Sequence, residues 1–208
     1  LKGSPVCRDK VTDMSYTYQN CSGLTGDPVC GPNVTNMYCA YMNCQNLTGS
    51  PVCGDKVTKM YQTYYNCFKL TGSPVCGPNV TDMRDTYQYC SNLTGNPVCG
   101  PNVTNMVYTY YNCTNLSSNG YFYSNKVTDA RDCFRVRNTS KRLNLYVHAN
   151  STTLSTCLNT RAAYSLTGTD ITWTNDTANN RHYSTAQNIY IYPVANVKQA
   201  YKENELLL

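Results

Sequence analysis

The run LTGDPVCGPNVTNMYCAYMNCQN at residues 24–46 is followed at once by LTGSPVCGDKVTKMYQTYYNCFK at residues 47–69. Laying one on the other brings Leu24 onto Leu47, Cys30 onto Cys53, Val34 onto Val57, Tyr41 onto Tyr64 and Cys44 onto Cys67. The same 23-residue step continues through Leu70 and Leu93, Cys76 and Cys99, Val80 and Val103, Tyr87 and Tyr110, and Cys90 and Cys113. Several ladders in one register over five rungs mark a repeat array, in which each unit packs only against its neighbours. Such an array grows along one axis, so 208 residues need not enclose one large core.

Within a rung, Val34, Met37, Tyr41 and Cys44 fall at intervals of three, four and three. That spacing is the seam of one helical face, with Asn33 or Thr35 as its N-cap. Leu24 to Cys30 contains Gly26 and Pro28, is too short and broken for helix, and reads as a short strand; Gly31-Pro32-Asn33 is the turn between the two. The expected fold is an α/β solenoid: a leucine-rich-repeat-like, right-handed stack of 23-residue strand-turn-helix rungs. A parallel sheet would line one side and a row of helices the other. The space between would be filled by Leu24, Leu47, Leu70 and Leu93, by Cys44, Cys67, Cys90 and Cys113, and by the column Tyr41, Tyr64, Tyr87 and Tyr110.

Residues 1–138 accommodate five full rungs and one degenerate one. Leu116, Val127 and Phe134 keep the pattern with one residue inserted, but Ala130 takes the Met position and Arg137 the Cys position. A charge in a core column stops the stack. Residues 139–197 form a β-rich capping region, with strands expected at Leu143–Val147, Ile171–Thr174 and Ile189–Tyr192 and a helical turn at Leu154–Leu158. Residues 198–208 (KQAYKENELLL) read as a short helix or tail. The chain starts at Leu1 inside the pattern, with no initiator Met or signal peptide, so it is expected to be part of a longer polypeptide.

Composition narrows function. Charged residues make up 14%, against 20 Tyr and 13 Cys, and the net charge of +5 falls late in the chain. Residues 1–115 hold seven Lys/Arg and six Asp/Glu; residues 116–208 hold ten and six. A near-neutral array offers nothing to nucleic acid, and the absence of a run of about 18 apolar residues argues against membrane insertion. The cysteines admit three readings: small apolar fillers, disulfides between equivalent positions of adjacent rungs about 5 Å apart, or a metal site. No C-x-x-C occurs and there are two His, which speaks against zinc, and no metal or cofactor is expected. Asn-x-Ser/Thr sequons such as Asn20, Asn33 and Asn46 follow from the repeat itself.

The string Asn-Val-Thr-Asn-Met-x-x-x-Tyr-x-Asn-Cys-x-Asn-Leu-Thr, at residues 33–48 and with small changes at 102–117, resembles the leucine-rich repeats of the BspA-like type. Leu145-Tyr-Val-His-Ala-Asn-Ser is similar to the terminal strand of such arrays, with an echo at Tyr192-Pro-Val-Ala-Asn. The resemblance covers residues 1–150 well and the remainder loosely. Two departures, Tyr for the usual Phe and Pro-Val-Cys for a more aliphatic strand, unsettle the strand register. The resemblance implies an adhesion or recognition solenoid, extracellular, on a bacterial cell surface or on a virion as part of a phage tail fibre. Pro-Val-Cys-Gly followed by Tyr-x-Asn-Cys also resembles Kazal-type protease inhibitors. Those are irregularly spaced disulfide knots, whereas here gaps of 14 and 9 alternate.

No catalytic residues are expected. Neither His148 nor His182 sits in a nucleophile motif, Asp27, Asp55, Asp82 and Asp85 fall at turns or exposed positions, and no phosphate-binding or dinucleotide fingerprint occurs. Positions that vary between rungs face outward by elimination. Tyr16, Tyr38, Tyr61, Tyr65, Arg84, Tyr108 and Tyr111 form the candidate binding face, a Tyr-rich surface of the kind that recognition loops use. Its expected partner is a cell-surface protein or glycan, with identical subunits as the alternative for a filament or virion building block. Arg131, Arg135, Arg137, Lys141 and Arg142 read as a polar collar at the end of the array.

Overall fold

In the computed structural model, which describes residues 1–205, the chain winds into coils that repeat every 23 residues, but the coils contain no helices. Parallel bridges running from Asp13 through Asn36, Lys59, Asp82 and Asn105 to Asp129 tie six coils together in constant register, with the one extra residue falling in the last step. Leu24, Leu47, Leu70 and Leu93 are buried, as are Val34, Val57, Val80 and Val103 and the Met column, and they share one core cluster that reaches from Met14 to Ile191.

The expected helix of each rung is replaced by back-to-back β-turns. In the second coil Ala40 N–H donates to the Met37 carbonyl, Met42 to Cys39 and Cys44 to Tyr41, at 3.0 to 3.2 Å, each closing a turn on the third residue back. The alternate N–H groups, of Met37, Cys39, Tyr41 and Asn43, leave the coil and donate to the carbonyls of Lys59, Tyr61, Thr63 and Tyr65 in the next one at 2.8 to 3.0 Å. A helix would close all of these bonds within its own segment. Here half of them bind coil to coil. The first and third of these turns carry a positive φ at their third residue, as type II turns require, at Cys39 (52°) and Asn43 (63°), and the equivalent positions Gln62, Asn66, Asp85, Tyr89, Tyr108 and Asn112 do the same. Asn tolerates the left-handed region where most side chains do not, which accounts for the recurrent Asn-Cys pair. The α/β leucine-rich-repeat-like, right-handed solenoid of strand-turn-helix rungs is therefore not the fold. Among the described residues α-helix occurs only at α1 (Thr152–Cys157) and α2 (Val197–Glu205).

The expected continuous parallel sheet is also absent. β1 (Lys2–Gly3) pairs in parallel with β2 (Gly23–Leu24). The other six strands are β3 (Val98–Cys99), β4 (Asn119–Phe122), β5 (Leu143–His148), β6 (Thr174–Asp176), β7 (Arg181–Ser184) and β8 (Ile189–Val194). They form a mixed sheet in the order β3-β4-β5-β8-β7-β6, parallel from β3 to β8 and antiparallel through β7 and β6. Proline explains the gap between the two sheets. Pro28, Pro51 and Pro74 have no N–H to give a ladder, and the Val after each is engaged by the core tyrosine of its own coil. The Tyr41 hydroxyl accepts from Val29 N–H at 3.0 Å and donates to the Val29 carbonyl at 2.7 Å; Tyr64 does the same for Val52 and Tyr87 for Val75. In the sixth coil Gly120 stands one repeat beyond Pro97, and strand pairing takes over. Tyr121 and Tyr123 N–H donate to the carbonyls of Pro97 and Cys99, both at 2.8 Å.

The capping strands expected at 143–147 and 189–192 are β5 and β8, whose alternation of buried and half-buried residues fits a sheet face packed on the core. The expected 171–174 strand starts only at Thr174. The helical turn near 154–158 is α1, N-capped by the Ser151 side chain, and α2 covers the expected helix as far as Glu205; residues 206–208 lie outside the described residues. The array's last N–H groups do not meet water. Asp132 and Phe134 donate to the Ser165 and Leu166 carbonyls at 2.9 and 2.7 Å, so residues 165–166 stand in for a further coil. Arg137 occupies the end of the Cys column with its guanidinium on the carbonyls of Gln187 and Lys141, and burial lowers its pKa to about 10.

Candidate functional site

The turn segment decides what faces out. Residues 37, 40, 41 and 44 of the second coil point into the core, so the middle pairs of the first and third turns, 38–39 and 42–43, lie on the outer side, where Cys39 is covered by its neighbours. This yields two tracks on one face, four residues apart within each coil. On the first track Tyr16, half exposed, meets Tyr38 edge-on at 4.8 Å between ring centroids, and Tyr38 stacks on Tyr61 at 5.2 Å. The Arg84 guanidinium lies 4.6 Å above the Tyr61 ring and forms a forked ion pair with Asp82, at 2.6 Å for its shortest contact. On the second track Tyr65 meets Tyr89 edge-on at 5.6 Å, Tyr89 meets Tyr111 at 5.3 Å, and Tyr108 meets Tyr111 at 5.8 Å. All seven expected binding residues therefore lie on one face, in two linked groups.

The structure adds members that the repeat did not reveal. Tyr89 occupies a position where coils one, two, three and five have Asn and the sixth has Val136, and it bridges Tyr65 to Tyr111. Tyr164, from outside the array, sits 6.0 Å from the Arg131 guanidinium, which is paired with Asp129 at 2.8 Å; Arg135 is 5.9 Å from the Tyr111 ring and pairs with Asp132 at 3.4 Å. Two residues of the expected collar thus extend the tyrosine tracks, while Arg142 lies 3.7 Å over Tyr190 on the outer face of the sheet. Val107, which occupies the Arg84 position one coil later, is buried.

The electrostatics follow from partial burial. A hydrogen bond with Tyr16, and then burial, push the Tyr38 phenol above its usual range. Burial raises Asp85 to about 6 against the opposing pull of Arg84. The nearby Asp132 charge, then burial, raises Tyr108. Ring faces here are largely occupied: Tyr61 is held between Tyr38 and Arg84, from the coils on either side. What the strip offers outward is ring edges, phenol hydroxyls and the free sides of carboxylate–guanidinium pairs.

Inside, Tyr18, Tyr41, Tyr64, Tyr87, Tyr110 and Phe134 stack in a column with 5.3 to 5.7 Å between centroids. The thirteen cysteines are unpaired. Cys44, Cys67, Cys90 and Cys113 each donate their thiol to the carbonyl of Tyr18, Tyr41, Tyr64 or Tyr87 in the preceding coil, all at 3.0 Å, and burial pushes Cys44 to about 12 and Cys67 and Cys90 well up. Among the described residues no group of three His, Cys, Asp or Glu is placed to hold a metal, and no helix is long and apolar enough to cross a membrane. His148 has one ring nitrogen 3.2 Å from the Tyr123 carbonyl. Comparison with known proteins returns no match to a family, to a curated protein or to a solved structure.

Proposed function

We propose that this chain is a non-enzymatic recognition module that binds a cell-surface glycan or protein through the tyrosine–arginine strip, working outside the cell on a virion or bacterial surface. The observation that carries the reading is the unbroken aromatic and ionic track across successive coils, from Tyr16 to Arg84 and from Tyr65 to Arg135. A rigid scaffold that presents amphipathic rings beside adaptable polar groups is the physical recipe of a paratope. The surface or tail-fibre setting rests on the resemblance of residues 33–48 and 102–117 to BspA-like repeats, and fold alone does not assign a role. An inhibitor of Kazal type would need a disulfide-held loop, and the thiols here are unpaired.

The test is binding of labelled protein to intact bacterial cells, with Tyr16→Ala/Tyr111→Ala as the comparison. Binding should fall about tenfold or more, roughly 1.4 kcal/mol, with melting temperature little changed because both rings are partly exposed. Equal binding by both proteins would remove the strip from the reading. Assembly that depends on concentration, with no cell binding, would favour a filament or virion subunit instead.

A further inference from the structure

The strip's charges nearly cancel, with a slight acidic excess, in a way that selects its ligand. Its three guanidinium groups, Arg84, Arg131 and Arg135, are already paired with Asp82, Asp129 and Asp132. Asp85 is a fourth carboxylate, and the bridged file that holds Asp82 and Asp129 adds Asp13 and Lys59, which brings the sum to four positive against five negative. An anionic ligand would have to displace a carboxylate tethered two or three residues away, which competes at the high effective concentration of an intramolecular partner. A hydroxyl-rich neutral ligand displaces nothing: each sugar hydroxyl both donates and accepts, and each ion pair keeps unused N–H and oxygen positions beside the phenol hydroxyls.

The spacing also repeats. Ring-to-ring steps along the two tracks are 4.8 to 5.6 Å between successive coils, close to the length of one sugar unit in an extended chain. The backbone bonds between coils hold that step rigid over six coils. A compact ligand would use one coil's worth of this surface and leave the others idle, whereas a polymer laid along the axis meets a ring or an ion pair on one track or the other at successive steps. We infer that the strip takes a neutral, extended polysaccharide running parallel to the stack, an assignment that rests on the recognition reading above and narrows it.

The experiment uses the whole chain in titrations against soluble neutral polymers (a mannan, a β-glucan and their oligosaccharides of graded length) and anionic ones (hyaluronan and lipoteichoic acid). The expected result is binding to a neutral polymer that strengthens by about tenfold or more as the oligosaccharide lengthens to span the strip. Affinity should change less than about twofold between roughly 50 and 500 mM salt, since no charge pair forms. Tyr16→Ala/Tyr111→Ala should weaken it about tenfold. In parallel, cell binding should be abolished by periodate oxidation of surface sugars and survive protease treatment of the cells.

Anionic binding that collapses with salt and is lost in the strip variant would overturn the neutral-ligand assignment while leaving the recognition reading intact. Cell binding abolished by protease and indifferent to periodate would replace the glycan by a protein. Neutral-polymer binding that the variant leaves untouched would place the site elsewhere. Failure to bind any polymer or any cell would sink both readings together.

Discussion

Coils two to four and the sheet from β3 to β8 solve the same stacking problem with different backbone chemistry. From β4 to β8 the strands find their N–H and carbonyl partners in neighbouring strands, while β3 uses both devices, its Val98 held by the Tyr110 hydroxyl at 3.0 and 2.7 Å. In the coils, proline has removed the strand ladder, and a buried phenol hydroxyl takes over both backbone groups of the following Val. The exchange at Gly120 and Phe134 shows that the two devices are linked: the proline and the hydroxyl disappear in the same coil, where pairing between β3 and β4 replaces them. The lesson is that the tyrosine column is part of the backbone hydrogen-bond system of the array, beyond its contribution to packing.

The comparison breaks most visibly at Tyr64. Tyr64→Ala removes a fully buried ring and strands the N–H and carbonyl of Val52, so a loss of about 3–5 kcal/mol is expected. Tyr146→Ala, on a half-exposed strand position whose backbone pairs with β4 and β8 regardless of the ring, should cost less than half as much. Denaturant melts of the two variants provide the check, and equal losses would contradict the division of labour. Tyr64→Phe isolates the hydroxyl. It should cost roughly 1–3 kcal/mol through the two unsatisfied groups and should expose the Val52 amide to hydrogen exchange, an effect that loss of packing alone would not confine to that residue.

Gly77 sharpens the same contrast at a smaller scale. A Cβ there would lie 2.9 Å from Cys53 Sγ and 3.0 Å from the Gly54 carbonyl oxygen of the coil below. Gly77→Ala should therefore cost about 1–3 kcal/mol. Adding Cys53→Ala should recover only part of this, because the carbonyl remains. Full recovery would mean that the backbones are less closely apposed than described.

Smallest is the pH effect at Asp85. Its folded pKa, raised to about 6 by burial, exceeds the ordinary value of 3.8, so its contribution to stability is complete below about pH 4 and is lost as pH rises through 6. Asp85→Asn should stabilise the array at pH 7 by roughly 1 kcal/mol, water access to the carboxylate trimming the full value. The advantage should vanish near pH 4. A gain independent of pH would assign the effect to the turn geometry instead.

The buried columns were legible in the sequence because burial follows spacing: Val34, Met37, Tyr41 and Cys44 lie in the core whichever local structure carries them. Helix and consecutive turns share that three-four-three spacing, so periodicity alone does not separate them. The discriminating signals were Asn43 and its equivalents, suited to a left-handed residue immediately before the Cys, and Pro28 in the middle of an expected strand. The candidate face was legible through the variation of Tyr38, Tyr61 and Arg84 between coils. Tyr164 was not, since nothing in a repeat forecasts where a chain outside the repeat comes to rest. The stacking of Tyr61 between Tyr38 and Arg84 was equally hidden, because it depends on the exact offset of one coil on the next.

The thiols aimed at carbonyls one coil away have a chemical consequence. Alkylating reagents attack the thiolate, and a sulfhydryl already donating in a dry interior almost never ionises. Cys67 and Cys90 are therefore silent to such reagents while the stack is closed, and become reactive only when neighbouring coils part. The rate at which they are labelled is a clock for that separation, built into the array at every rung that carries the residue.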